Sequence, residues 1–372
     1  MKNLIILFLS IWGSFLYAQT PHSHAHKRAI HFPNVEGYLT LKCDLHIHSV
    51  FSDGLVYPDI RVQEAVKDSL DAISLTEHLE YQPHKEDIPH PDHNRSYNLA
   101  TKAAKSTNLL IIKGSEITRK QPPGHNNALF IKDPNKLMIA DSIDVFREAN
   151  RQGAFVFWNH PNWINQRKDG IATLTDVHKL LIKEKLLHGI EVVNDQTYSD
   201  EALQIALDNN LTIMGTSDIH GLIDWDFKVA DGGHRPITLV FAKERTEEAI
   251  KEALQNRRTV AWYNNTLIGR PEHLNPLIKA AITFQKASYI GSSSVADVTL
   301  KNDSDVEFIL LNKSGYTLHQ TTDVVVLAPN STTTIQIKTI QQLAGFDLKF
   351  VVLNGVNAPQ THPELTWKVT LD

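Results

Sequence analysis

The sequence predicts a closed α/β barrel followed by a small all-β sandwich, and three observations predict it. From about Tyr38 to Ala242, short apolar runs alternate with amphipathic stretches, the pattern of strands joined by crossover helices. Beyond Pro276 the chain becomes rich in Thr, Val, Ser and Ile, with turn residues at about 8–12-residue spacing, as in a sandwich. Ionisable residues recur at the carboxyl ends of the candidate strands, where a parallel barrel gathers its functional groups.

The strand candidates are "LKCDLHIHS", "DAISLTEH", "LLIIKGSEIT", "NALFI", "AFVFWNHP", "HGIEVVN", "LTIMGTSDIH" and "ITLVFA". Amphipathic stretches lie between them: "PDIRVQEAVKDSL" opens on Pro58, "DSIDVFREANRQG" ends on Gly153 and "LTDVHKLLIKEKLLHG" on Gly189, followed by "SDEALQIALDNN" and "TEEAIKEALQNRR". Proline in a first turn and glycine past a last turn are the expected helix punctuation. Seven or eight strands in about 240 residues suit a closed barrel better than an open sheet. The barrel is expected over residues 38–276 and the sandwich over 277–372, with no internal repeat.

The first 18 residues have a basic Lys2 and an apolar run ending near Tyr17, and they read as a leader cleaved after Ala18. Export, to a periplasm or outside the cell, is the corresponding expectation, with no membrane anchor. Residues 19–37 carry His22, His24 and His26 in a polar setting and are expected to be flexible. Cys43 is the sole cysteine, so no internal disulfide is possible. The formal net charge of −5, without a basic stripe, disfavours nucleic acid as a partner.

In "CDLHIHSVFSDG", His46 and His48 fall on the same side of a strand, about 6–7 Å apart along it. The same position rule collects Asp53 in the following loop, His78 in "TEH", Glu116 in "GSEIT" and His125 opening a short return strand. His160 in "NHP" and Asp218 and His220 in "SDIHG" complete the set. Six histidines and three carboxylates at one barrel mouth would be costly without a cation. Imidazole and carboxylate without thiolate suit Zn²⁺, Mn²⁺ or Fe²⁺, and nine donors exceed the needs of one ion. Two or three ions sharing a bridging carboxylate is the economical reading, with Glu116 as the bridge and a metal-bridging water, ionised near neutral pH, as nucleophile.

In order along the chain, these motifs resemble those of the PHP (polymerase and histidinol phosphatase) superfamily over about residues 38–270. The resemblance implies a distorted (β/α)₇ barrel, up to three metal ions and phosphoester hydrolysis. It implies that His46, His48, Glu116 and Asp218 hold one ion, that Glu116 bridges to a second held by His125 and His160, and that Asp53, His78 and His220 hold a third. Some members carry His where this chain has Asp53. The leader, "HRPITLVFA", "RRTVAWYNN" and the β-rich tail also look like the exported Sb-PDE type of phosphodiesterase.

Glu116 and Asp218 are therefore the expected catalytic residues, and Arg119, His234 and Arg235 the candidate substrate contacts. Loops expected at the mouth carry few cations but include Trp163, Tyr198, Trp225 and Phe227, which favours a small phosphodiester with an apolar ester group. Glu77, next to His78, is expected to support the ligands from behind. His84, His90 and His93 lie in a loop that can cover the mouth, while His178 and His188 read as structural. Two other readings stay open: a nuclease or phosphomonoesterase of the same type, and a metal-binding module without turnover.

Overall fold

The computed structural model describes residues 28–371. The expected leader, and residues 19–27 of the expected flexible segment, lie outside the described residues. Among the described residues, twelve strands precede the tail: β1 (Leu39–Ile47), β2 (Ala72–Leu75), β3 (Leu110–Ile111), β4 (Gly114–Ile117), β5 (Asn126–Leu129), β6 (Phe155–Trp158), β7 (Gly189–Asn194), β8 (Thr197–Tyr198), β9 (Thr212–Thr216), β10 (Ile237–Ala242), β11 (Thr259–Tyr263) and β12 (Thr266–Gly269). The helices are α1 (Pro58–Lys67), α2 (Arg95–Ala104), α3 (Asp144–Arg151), α4 (Asp176–Lys183), α5 (Asp200–Asp208), α6 (Ile223–Asp226), α7 (Glu247–Gln255) and α8 (Pro271–Ala281). Helix α2 is not among the helices expected from sequence; the side chains it buries, Ser96, Ala100 and Ala104, are all small.

The barrel is split into two sheets. One runs β4-β5-β6-β7-β8 with β9 also paired to β7; the other contains β3-β2-β1-β10-β11-β12. Single bridges, His78 with Glu116 and Ile47 with Ile219, join them at the mouth. There Asp218 N donates to His46 O at 2.9 Å and His48 N to Ile219 O at 3.1 Å. The ring departs from an all-parallel barrel at β5, antiparallel to both neighbours, and at the β10–β12 meander beside β1. Reversal of β5 puts its first residues, not its last, at the mouth, because Ile117 pairs with Asn126. Gly215 on β9 is required by closeness, since a Cβ there would stand 2.7 Å from Ala261 Cβ.

The tail contains β13 (Ile282–Tyr289), β14 (Val295–Asn302), β15 (Phe308–Asn312), β16 (Thr317–Leu318), β17 (Val324–Leu327), β18 (Ser331–Lys338), β19 (Gly345–Val352), β20 (Gly355–Val356) and β21 (Glu364–Thr370). Two four-stranded sheets, β13-β14-β18-β16 and β17-β15-β19-β21, face each other. Alternating burial along β21 is the mark of a half-buried strand. The boundary lies later than expected from sequence: Pro276 sits inside α8, and the sandwich starts at Ile282.

The tail is built onto the barrel. β20 extends the barrel sheet by pairing in parallel with β12, and one apolar core runs from Leu274, Leu277 and Ile278 through Ile282 to Phe308 and Leu348. Asn354 donates to Asn265 O at 2.7 Å and Glu307 O at 2.8 Å, tying the β11–β12 turn to the sandwich. Residues 28–37 are also part of the fold rather than flexible. Ile30, Phe32 and Val35 are buried, and Phe32 meets Trp262 edge-on at 5.0 Å. No helix among the described residues is long and apolar enough to cross a membrane.

Candidate metal centre

All nine sequence-derived ligand candidates converge at the mouth. His46 and His48, at the end of β1, are fully buried, and their Nε2 atoms lie 3.0 Å apart. Each is 3.1 Å from Asp218 Oδ1, beyond the end of β9. Glu116, at the end of β4, is also fully buried. It lies 2.5 Å from His78 Nδ1, 2.9 Å from His125 Nδ1 and 3.7 Å from His160 Nε2. Asp53 lies 3.4 Å from His78 Nε2, 3.1 Å from His220 Nε2 and 3.6 Å from His48 Nδ1.

Three groups have donor atoms within 4.8 Å of one another: His46, His48 and Glu116; His78, Glu116 and His125; His48, Asp53, His78 and His220. Glu116 belongs to two of them, and so do His48 and His78.

The buried carboxylates of this cluster draw positive charge toward them. Burial opposes a proton on His46, yet the Asp218 and Glu191 carboxylates push its pKa up to about 10. Burial together with neighbouring His220 and His78 drives His48 down to about 3. His220 rises to about 9 against burial because of Asp53 and Asp218. Against the upward push of burial, His78 and His125 hold Glu116 well below the usual carboxylate range, and His46 and His48 do the same for Asp218.

Asp53 Oδ1, Glu116 Oε2, Asp218 Oδ1 and His125 Nδ1 are buried without a hydrogen bond of proper geometry. Orphaned buried acceptors are costly, and these four belong to the set of imidazole and carboxylate donors that a divalent ion takes. The residues present therefore fit divalent metal ions.

Supporting groups fix the donors. Glu77 accepts from Ser49 N at 3.1 Å, from Ser49 Oγ and from Ser52 Oγ at 2.5 Å, and so holds the loop that carries Asp53. Asn159 Nδ2 donates to Glu116 Oε1 at 2.8 Å. Arg61, fully buried, donates to His48 O at 2.8 Å and His220 O at 2.8 Å. Sequence reading missed Arg61, Asn159 and, above all, Glu191 in the middle of β7. Its one signal was an acid inside the apolar run "HGIEVVN", a strand buried at all six positions.

The candidate substrate contacts do not reach the mouth. Arg235 is 1% exposed and bonded to Asp44 and Asp68. His234 stacks on Trp262 with ring centroids 3.5 Å apart. Both are held by residues distant in sequence, Asp44, Asp68 and Trp262, which sequence order could not reveal. Arg119 pairs with Glu80 and donates to Ile139 O at 2.6 Å, so its charge is already matched.

The cleft over the cluster has a volume of about 500 Å³. Candidate ligands lie at its floor, and Asn162, Trp163, Ile164, Asn194 and Thr197 form part of its walls. Trp163 stands 5.1 Å from His160 and 5.6 Å from His125, ring to ring. Of the other aromatics expected there, Phe227 is buried in the core and Tyr198 bonds Asp200 at 2.7 Å. Trp225 is exposed but does not line the cleft. His84, His90 and His93 also do not line it; His90 packs edge-on against Phe51. His178 is buried and bonded to Pro123 O, the structural place expected for it.

Fold and site together define a barrel hydrolase of the metal-dependent kind with an appended β-sandwich. An Ig-like domain family model matches residues 282–368. The crystal structure of a two-domain protein containing a predicted PHP-like metal-dependent phosphoesterase, from Bacteroides vulgatus ATCC 8482, is 44% identical, with a TM-score of 0.86 over 92% of this chain and 98% of that one. The chain belongs to this family of two-domain PHP-like metal-dependent phosphoesterases. PsfC from Pseudomonas syringae PB-5123 is 17% identical, with a TM-score of 0.41 over 60% of this chain and 91% of that one. The lesion-specific endonuclease PfuEndoQ from Pyrococcus furiosus is 15% identical, with a TM-score of 0.42 over 62% of this chain and 59% of that one. No curated protein matches the chain.

Proposed function

We propose that this protein is an exported, metal-dependent phosphodiesterase acting on small organic diesters that carry an apolar ester group. The observation that carries the reading is the make-up of the cleft. Among the described residues, none that lines it is Lys or Arg, while Trp163 and Ile164 are exposed along one wall. A phosphomonoester dianion wants several cationic donors around its free oxygens. A diester carries one negative charge and a second ester group, which an aromatic wall can receive. The same lack of cations, with the net charge of −5, disfavours a long nucleic acid.

His46, His48, Glu116 and Asp218 would hold one divalent ion, His125 and His160 with Glu116 a second, and Asp53, His78 and His220 a third. Manganese, zinc and iron(II) all suit this donor set. When bound, such ions supply Lewis acidity and a water that ionises near neutral pH. The chain's own contributions are positional. Asn162, Asn194 and Thr197 bring uncharged hydrogen-bonding groups to the cleft wall, and Trp163 stands beside His125 and His160. The basic and apolar start of the chain supports export.

The test compares kcat/KM for bis(p-nitrophenyl) phosphate and p-nitrophenyl phosphate, with one metal and one pH. The diester should be preferred by about tenfold or more, the scale that one well-placed apolar contact provides. Trp163→Ala should raise KM for the diester and leave the monoester unchanged. Equal or better hydrolysis of the monoester overturns the proposal.

A further inference from the structure

We infer that Glu191 is a positioning residue that locks His46, His160 and Asp218 into metal-ready geometry at once. This rests on the metal-centre reading above. The Glu191 carboxylate is 1% exposed and takes two hydrogen bonds on each oxygen. Oε1 is bonded to His46 Nδ1 at 2.7 Å and Thr216 Oγ1 at 2.6 Å. Oε2 is bonded to the backbone N–H of His160 at 2.6 Å and to Asn194 Nδ2 at 2.9 Å. Asn194 Nδ2 also reaches Asp218 Oδ2, at 3.2 Å. One side chain on β7 thus ties together residues from the ends of β1, β6 and β9.

Two consequences follow for the donors. With Glu191 accepting at Nδ1, His46 keeps its proton there, so the proton given up when a cation binds is the one on Nε2, the atom facing His48 and Asp218. His160 and Asp218 both have left-handed backbones, with φ of +28° and +49°. Such conformations in residues other than glycine persist only where their surroundings over-determine them, and the Glu191–His160 N–H bond is one such restraint.

Glutamine at 191 has the same shape but only one acceptor oxygen. The His160 backbone N–H cannot change its role, so that oxygen stays with it. The amide NH₂ then faces His46 Nδ1–H, setting donor against donor whenever Nε2 holds a metal. Loss of such an outer partner weakens metal binding by about 10- to 100-fold.

The experiment uses the full chain as wild type, Glu191→Gln and Asn194→Ala. Each is stripped with chelator, checked by near-UV circular dichroism and melting temperature, and titrated with Zn²⁺ against a fluorescent competing chelator. Glu191→Gln should fold when stripped yet lose one tight equivalent, or bind it about 10- to 100-fold more weakly. Asn194→Ala should show a smaller loss in the same equivalent. A purely structural carboxylate would lower the melting temperature and leave Zn²⁺ affinity alone, which overturns the inference. If Glu191→Gln does not fold, Asn194→Ala decides: unchanged affinity overturns it and weakened affinity supports it. Wild type that takes up no Zn²⁺ overturns the metal-centre reading and this inference with it. Full uptake by wild type, with unchanged affinity at every equivalent in folded Glu191→Gln, overturns this inference alone.

Discussion

Replacing Arg235 with alanine should destabilise the barrel rather than weaken substrate binding. Its Nε donates to Asp68 Oδ2 at 2.8 Å and its Nη1 to Asp44 Oδ2 at 3.2 Å, while its Nη2 lies 2.7 Å from Asp68 Oδ2 in ion-pair contact. Asp44 has no exposed surface, and burial raises its pKa even with Arg235 beside it. In turn Asp44 accepts from Ser217 N at 3.1 Å and Ser217 Oγ at 2.6 Å, one residue before the candidate ligand Asp218. Removing one partner from a buried ion pair costs about 3–5 kcal/mol, because the remaining charge is left uncompensated. That is a large share of a typical domain stability of about 5–15 kcal/mol.

The assay is urea denaturation of the metal-saturated protein, with steady-state kinetics on the folded fraction. Arg235→Ala should lose about 3–5 kcal/mol while KM stays within about twofold. Asp44→Asn in the Arg235→Ala background should recover part of the loss, with a coupling of about 1–3 kcal/mol, because the orphaned charge is gone. Stability within about 1 kcal/mol of wild type, together with KM raised tenfold or more, would refute the reasoning and return Arg235 to the substrate.

Truncation after Ala281 should destabilise or unfold the barrel, since it strips β20 from β12 and uncovers Leu274, Leu277 and Ile278; a soluble fragment that melts like the full chain would contradict this. His178 accepts from Thr175 Oγ1 at 2.8 Å, donates to Pro123 O at 2.8 Å, and is lowered to about 4, first by burial. A depressed histidine pKa gives stability that is complete above about 6.5 and is lost as pH falls toward 4. Wild type should therefore lose up to about 3 kcal/mol more than His178→Asn across that window, and identical pH slopes in stability titrations would exclude the effect.

Much of the site was legible in the sequence because metal ligation needs particular atoms at particular strand ends. Histidine alternation in "DLHIHS" follows from the two-residue repeat of a strand. A barrel mouth is the one place where "TEH", "GSEIT", "NHP" and "SDIHG" can meet. His125 was reachable for the same reason, once β5 was read as a return strand. What the sequence left open depends on groups whose role comes from whatever packs against them. Glu191 looks like any acid in a strand until folding places His46, Thr216, Asn194 and the His160 N–H around its two oxygens. Arg235 and His234 were misassigned because a cation after a functional strand has no intrinsic direction; tertiary packing turned Arg235 inward to Asp44 and Asp68. The tail's β pattern was visible, but its union with the barrel was not. Pairing of β20 with β12 joins residues 267 and 355, and a hydrogen bond across that separation leaves no local pattern in the chain. By itself, then, the sequence determined which atoms are available to metals and which strands carry them. Tertiary structure alone decided which buried charges neutralise one another, because that depends on distances of a few ångströms between segments far apart in sequence.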